Sequence, residues 1–167
     1  MALTNEYPTI NGLAPSWADI IVKAKPQGAS LIDLKWISAI NTAGSVEVGE
    51  ARGAHGGRVM KRTTGSVGYE NSITFYREGA LKFKRALMAI APSRGNQKIL
   101  TLAHIAVIEI QHTPIGAEEI YLRRVKGARV IGDTLNMAEG TDADVIEVPF
   151  SVLEICDVID GVECPLL

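Results

Sequence analysis

YENSITFYREGALKFKRALMAIA, Tyr69–Ala91, changes its hydrophobic period part-way along. Its first nine residues alternate, setting Tyr69, Ile73 and Phe75 against Glu70, Ser72 and Thr74, the period of a half-buried strand. From Glu78 to Ala91 the apolar residues Ala80, Phe83, Leu87 and Ile90 recur at helical spacing, with Lys82 and Arg85 off the stripe. Pro92 then stops the helix. No other segment carries a helical period, and the rest of the chain reads as strands and turns. Strands are predicted at Ala18–Ala24, at Leu31–Ile40 (Ile32, Leu34 and Trp36 on one face) and at Ser45–Glu50. Further strands follow at Lys98–Gln111, Glu119–Val125, Ala128–Leu135 and Val145–Ile155. Residues 1–16, with Pro8, Gly12 and Pro15, read as an extended arm. Ala51–Gly68, rich in glycine, reads as a long interaction loop, and 156–167 as a flexible tail. The expected architecture is mainly β. It is a single domain over 1–167, a β-sandwich or partly rolled barrel with one flanking helix and long extended loops.

The charge layout bears on function. Nine acids and no Lys or Arg lie between Val130 and Leu167, whereas Arg52, Arg58, Lys61 and Arg62 occupy a stretch without an acid, in a chain of net charge −2. Opposite patches favour head-to-tail contacts between copies, closing into rings or running on as filaments. They equally allow neutralisation within one fold. The 47% apolar and 22% charged composition excludes wholesale disorder. No apolar run approaches the roughly 20 residues of a membrane-spanning helix, and the opening residues lack the pattern of a secretory signal. Cytoplasmic folding without membrane association is the expectation.

Catalytic and metal chemistry find little footing. The glycine-rich stretch Gly49–Arg58 lacks a phosphate loop's Lys-Ser/Thr ending and a following helix. His104 and His112 would stand roughly 26 Å apart on an extended strand, and His55 has no ligand-spaced neighbour. Glu139, Asp142 and Asp144 lack the twelve-residue calcium loop and its closing Glu. No serine or cysteine sits in a nucleophile's context. Cys156 reads as a buried small hydrophobe, and Cys164 as an exposed thiol that a neighbouring copy's cysteine could meet. Arg123, Arg124, Lys126 and Arg129 cluster without the interleaved aromatics of a single-strand binder. No enzyme activity, metal or cofactor is expected.

A short strand enters the Gly- and Arg-containing stretch VGEARGAHGGRVMKRTTGSVGYE (Val48–Glu70). The strand SITFYRE, the helix GALKFKRALMAIAP and a closing hairpin within GARVIGDTLNMAEGTDADVIEVPFSVLEI follow. This succession resembles phage tail tube proteins over roughly 17–155. The tube subunits of type VI secretion systems and of phage-tail-like bacteriocins are similar. The resemblance implies a structural subunit whose homohexameric rings stack into a hollow conduit for DNA passage during ejection. It implies residence in the virion tail after assembly in the host cytoplasm. Implied partners are further copies, a tape-measure protein, tail terminator or baseplate proteins, a sheath if the tail contracts, and DNA as a non-specific passenger.

Contacts between subunits or rings are expected from Arg52, Arg58, Lys61 and Arg62 against Asp142, Asp144, Glu147, Asp157 and Asp160. Glu47, Glu70, Ser72 and Thr74 are the candidates to face the lumen. A secretion or bacteriocin tube subunit is the nearest rival reading. A small β-barrel binding module or enzyme is a more distant one.

Overall fold

A computed structural model describes residues 20–52, 59–112, 120–136 and 144–166. In chain order the elements are β1 (Ile20–Pro26), β2 (Ile32–Leu34), β3 (Ile37–Arg52), β4 (Val59–Tyr76) and α1 (Arg77–Ile90). There follow β5 (Ser93–Arg94), β6 (Gln97–Lys98), a 3-10 turn (Leu100–Leu102), β7 (His104–His112) and β8 (Tyr121–Val130). The chain closes with β9 (Thr134–Asn136), β10 (Val145–Ser151), β11 (Glu154–Ile159) and β12 (Val162–Pro165). The architecture is mainly β with one helix, as the periodicity implied. Its main sheet runs β2-β1-β7-β8-β10-β4-β3 and does not close into a barrel, and β5 and β6 form a separate small hairpin. β8 and β10 share only two register pairs, Phe150 with Val130 and Ser151 with Arg129. At that narrow junction the sheet folds over, and its two halves enclose one core.

Alternation sets the core. Val22 and Ala24 of β1, Ile105 and Ile108 of β7, Val125 and Ala128 of β8, and Ile155 of β11 come from one half. Ile73 and Phe75 of β4 meet them with Ile146, Val148 and Phe150 of β10. The predicted stripe of α1 supplies Ala80, Phe83 and Leu87, all buried. Phe83 stacks on Phe75 with centroids 5.2 Å apart. Burying a side chain of this size stabilises by about 1.5–3 kcal/mol, and this fixes the helix against the sandwich. The Ala91 N–H donates to the Leu87 carbonyl at 2.8 Å, and Pro92 prevents a further turn.

The structure corrects several boundaries. Ala51–Gly68 is not one continuous loop: β3 continues to Arg52 and β4 begins at Val59, the two pairing in a long antiparallel ladder, while 53–58 lies outside the described residues. Glycine there serves close strand pairing. A Cβ on Gly65 would lie 2.8 Å from the Glu47 carbonyl oxygen, at a register shift between the strands. Ser45–Glu50 is accordingly the middle of β3 and not a separate strand.

Leu31–Ile40 is divided. Trp36 takes φ 65°, a conformation that costs a bulky residue of order 1–3 kcal/mol. β2 therefore ends before it and β3 starts after it. Trp36 does not join Ile32 and Leu34 in facing the core; it is 55% exposed. Gly79 of α1 stands against this kink, where a Cβ would meet the Lys35 carbonyl oxygen at 2.6 Å.

Glu119–Val125 and Ala128–Leu135 give way to one strand, β8, with β9 beyond it. Lys98–Gln111 yields β7 only from His104. The predicted tail at 156–167 is largely a hairpin: β11 pairs with β12 through a two-residue turn in which Asp160 (φ 52°) and Gly161 (φ 77°) are both left-handed. The 1–16 arm lies outside the described residues. Among those described, no helix is long and apolar enough to cross a membrane.

Candidate assembly interface

Three surfaces carry the sequence-predicted residues. The first is the face of β10-β4-β3 turned away from the core. In β4, Asn71, Ile73 and Phe75 are buried while Glu70, Ser72 and Thr74 alternate with them. Register carries the alternation across the sheet. Thr74 lies opposite Ala39 and Glu147, Ser72 opposite Asn41 and Pro149, and Glu70 opposite Ala43. Glu47 continues the same parity along β3 and accepts a hydrogen bond from Ser66 Oγ at 3.2 Å. The four lumen candidates therefore share one polar face, and Glu147, expected at a subunit contact, joins them. Glu47, Glu70 and Glu147 are this face's charges; no Lys or Arg stands in 39–47, 68–74 or 145–151. The outer edge of β3 has no strand paired to it among the described residues.

The second surface is the far half of the β3–β4 hairpin. Arg62 lies opposite Glu50, 3.9 Å away, with the Arg62 side chain 73% exposed. The stretch without acids in sequence thus acquires one by strand pairing. Backbone pairing places Arg52 opposite Val59 and Lys61 opposite Ala51. Arg58 and Asp142, like Glu139 and His55, lie outside the described residues.

The third surface is the C-terminal hairpin. β11 pairs with β8 and brings Asp157 beside Arg123. The guanidinium grips the carboxylate at two points, Nε to Oδ1 at 2.7 Å and Nη2 to Oδ2 at 3.1 Å. Arg123 Nη1 also donates to the Thr42 carbonyl oxygen (3.1 Å) and Oγ1 (3.0 Å), on β3 in the opposite half of the sandwich. The Tyr121 hydroxyl donates to Asp157 Oδ1 at 3.0 Å. Arg123 and Asp157 side chains are only 19% and 21% exposed. Hydrogen bonds from Arg123 hold the Asp157 carboxyl below its ordinary range, burial opposes this, and Tyr121 assists. Burial, followed by the bond to Asp157, pushes the Tyr121 phenol up. This cluster ties the two sheet halves together.

Outside it runs a second charge ladder. Arg124 bonds Glu109 at 3.0 Å and Glu163 at 2.7 Å. Lys126 reaches Glu154 at 3.4 Å and also binds Glu163. Of the acidic end, Glu154, Asp157 and Glu163 are thus paired with Arg123, Arg124 and Lys126 of the same chain, and Asp133 with Lys84. Asp144, Glu147 and Asp160 make no ion pair among the described residues. Sequence reasoning missed the inward role of Arg123. Of two successive arginines on a strand one must point to each face, but the sequence does not say which finds a buried carboxylate. Among the described residues no three His, Cys, Asp or Glu side chains are grouped to hold a metal. Cys156 is buried and Cys164 exposed.

No protein-family model and no curated protein matches this chain. Solved structures do. A chain of the anti-feeding prophage baseplate, six-fold symmetrised, is 11% identical, with a TM-score of 0.56 over 94% of this chain and 99% of that one. A chain of the PVC sheath-tube complex, from an extracellular contractile injection system, is 17% identical, with a TM-score of 0.54 over 92% and 93%. The Hcp1 protein of E. coli EAEC 042 is 9% identical, with a TM-score of 0.53 over 88% and 96%. The chain has their fold. The likeness extends over nearly the whole length of each partner, so the β-sandwich with its single helix is shared as a unit.

Proposed function

We propose that this chain is the repeating subunit of a tail tube, forming homohexameric rings that stack into a hollow conduit. The observation that carries this reading is the β10-β4-β3 face: polar, acidic, turned from the core and bounded by an edge of the sixteen-residue β3 that pairs with no strand among the described residues. An exposed edge of that length is an aggregation hazard in a monomer. Pairing it with a neighbouring copy around a closed ring removes the edge and turns the three strands' polar face inward. Glu47, Glu70, Ser72, Thr74 and Glu147 then line the lumen. Such a wall repels a polyanion and offers no cation for phosphate to displace its counterions onto, so DNA passes without being held.

Stacking of rings falls to Arg52, Arg58, Lys61 and Arg62, against Asp142, Asp144 and Asp160 of the next copy. Asp157, gripped by Arg123, serves the fold. A tape-measure protein inside the tube, terminator and baseplate proteins at its ends, and a sheath where the tail contracts complete the assembly. It forms in the host cytoplasm and resides in the virion tail. The likeness to Hcp1 and to a sheath-tube complex supports a second reading, a type VI secretion or bacteriocin-like tube subunit.

Hydrogen exchange across a concentration series tests the ring. The outward amides of β3 become protected as a species of six chain masses appears; β3 amides that stay open in the assembled species refute edge pairing.

A further inference from the structure

The proposed tube leaves one feature of the surface unused. Trp36 is 55% exposed in the single chain, although φ 65° is a conformation that bulky residues avoid. Two contacts hold it there. The Tyr76 N–H donates to the Trp36 carbonyl at 2.8 Å, and Gly79 admits the kink by lacking a Cβ. The chain thus presents an indole to solvent on a rigid support. Two clefts include it in their lining. One is about 260 Å³, lined by Ile20, Val22, Leu34, Lys35 and Ile37. The other is about 580 Å³, lined by Tyr76, Arg77, Glu78 and Asp144. A rigid aromatic shared by two clefts has the form of an interface anchor.

We infer that Trp36 and its flanking clefts bind residues 1–19 of an adjacent copy, an inference that rests on the tube reading above. Those nineteen residues lead into Ile20, which itself lines the smaller cleft. Register places Val22 opposite Leu34, so the chain enters β1 alongside Trp36, at the patch and not across the molecule from it. The segment carries Tyr7, Ile10, Leu13 and Trp17 as apolar groups at spacings of three or four. Pro8 and Pro15 favour an extended form that loses little entropy on docking. Its side-chain charges are Glu6 and Asp19, which suit Lys35 and Arg77. Extended, nineteen residues reach roughly 60 Å, farther than the width of a domain of this size. Each subunit of a ring or stack can therefore lend its arm to a neighbour.

Photo-cross-linking decides this in the full chain. Benzoylphenylalanine is placed at position 36 of unlabelled copies, which are assembled with excess ¹⁵N-labelled wild-type copies and analysed by mass spectrometry. Cross-links to ¹⁵N-labelled peptides of residues 1–19 are expected, and Trp36→Ala should weaken assembly at least tenfold. Cross-links to unlabelled residues 1–19 would mean that the arm covers its own chain, overturning the exchange. Cross-links elsewhere, or none from assembled particles, would overturn the docking and leave the tube reading intact. Sedimentation in parallel separates these outcomes from the absence of any particle, in which case both readings fall.

Discussion

Replacing Arg123 with methionine keeps much of the aliphatic stem and removes four hydrogen bonds, two to Asp157 and two to Thr42. The Asp157 carboxylate would then be about one-fifth exposed, with only the Tyr121 hydroxyl to bond it. Breaking a fully buried pair costs about 3–5 kcal/mol, and an exposed pair is worth roughly 0.2–1 kcal/mol. At this burial we expect about 2–3 kcal/mol, lowering Tm by about 5–10 °C in a chain of this length. Arg123→Met combined with Asp157→Asn should recover part of the loss, because the stranded charge is gone.

The pH dependence has a definite sign. The folded-state pKa of Asp157 is lowered, so its contribution is fully present above the unfolded value of about 3.9 and disappears as pH falls through the folded value. Wild type and Arg123→Met should therefore differ most near neutrality, and the gap should narrow at acidic pH below about 4 to the share owed to the Thr42 bonds. Urea unfolding at pH 7 and pH 3 measures both effects. A variant within about 0.5 kcal/mol of wild type at pH 7, or a difference unchanged at pH 3, would refute the cluster as the tie between the sheet halves.

Three other outcomes are expected. Gly79→Ala should destabilise by about 1–3 kcal/mol, since the new methyl meets the Lys35 carbonyl and Trp36 at under 3 Å; thermal unfolding reads it directly. Neutralising Arg58, Lys61 and Arg62 together should leave Tm nearly unchanged while weakening assembly and removing most of its salt dependence, measured by sedimentation at two ionic strengths. Glu70→Lys with Glu147→Lys should shift stability by no more than about 0.5 kcal/mol, yet the assembled particles should retain DNA that wild-type particles release, seen in their absorbance ratio.

Much of the fold was legible where one period ruled a segment. The strand ending at Tyr76 and the helix after it followed from Ile73, Phe75, Phe83 and Leu87, all now in the core. The long hairpin was not, because the described residues of its outer half are mostly exposed and its glycines look like loop composition; backbone pairing holds it. The C-terminal hairpin did leave a signal, Asp160–Gly161 between Ile159 and Val162, a turn chemistry that the acidic composition obscured. Trp36 could not be placed, since its kink depends on the approach of Gly79, forty-three residues later in the chain. The polar face was readable along β4 alone, whereas its extension to Glu147 needed the register of β10, which no local pattern states. The neutralisation of Asp157 by Arg123 likewise required the pairing of β11 with β8.

Negative-stain electron microscopy of the purified chain, across concentration and salt, tests the central claim most directly. The account predicts six-fold rings of uniform diameter with an open centre, stacking into tubes as concentration rises. A chain that stays monomeric under every condition, or assembles into particles with no central channel, would contradict it.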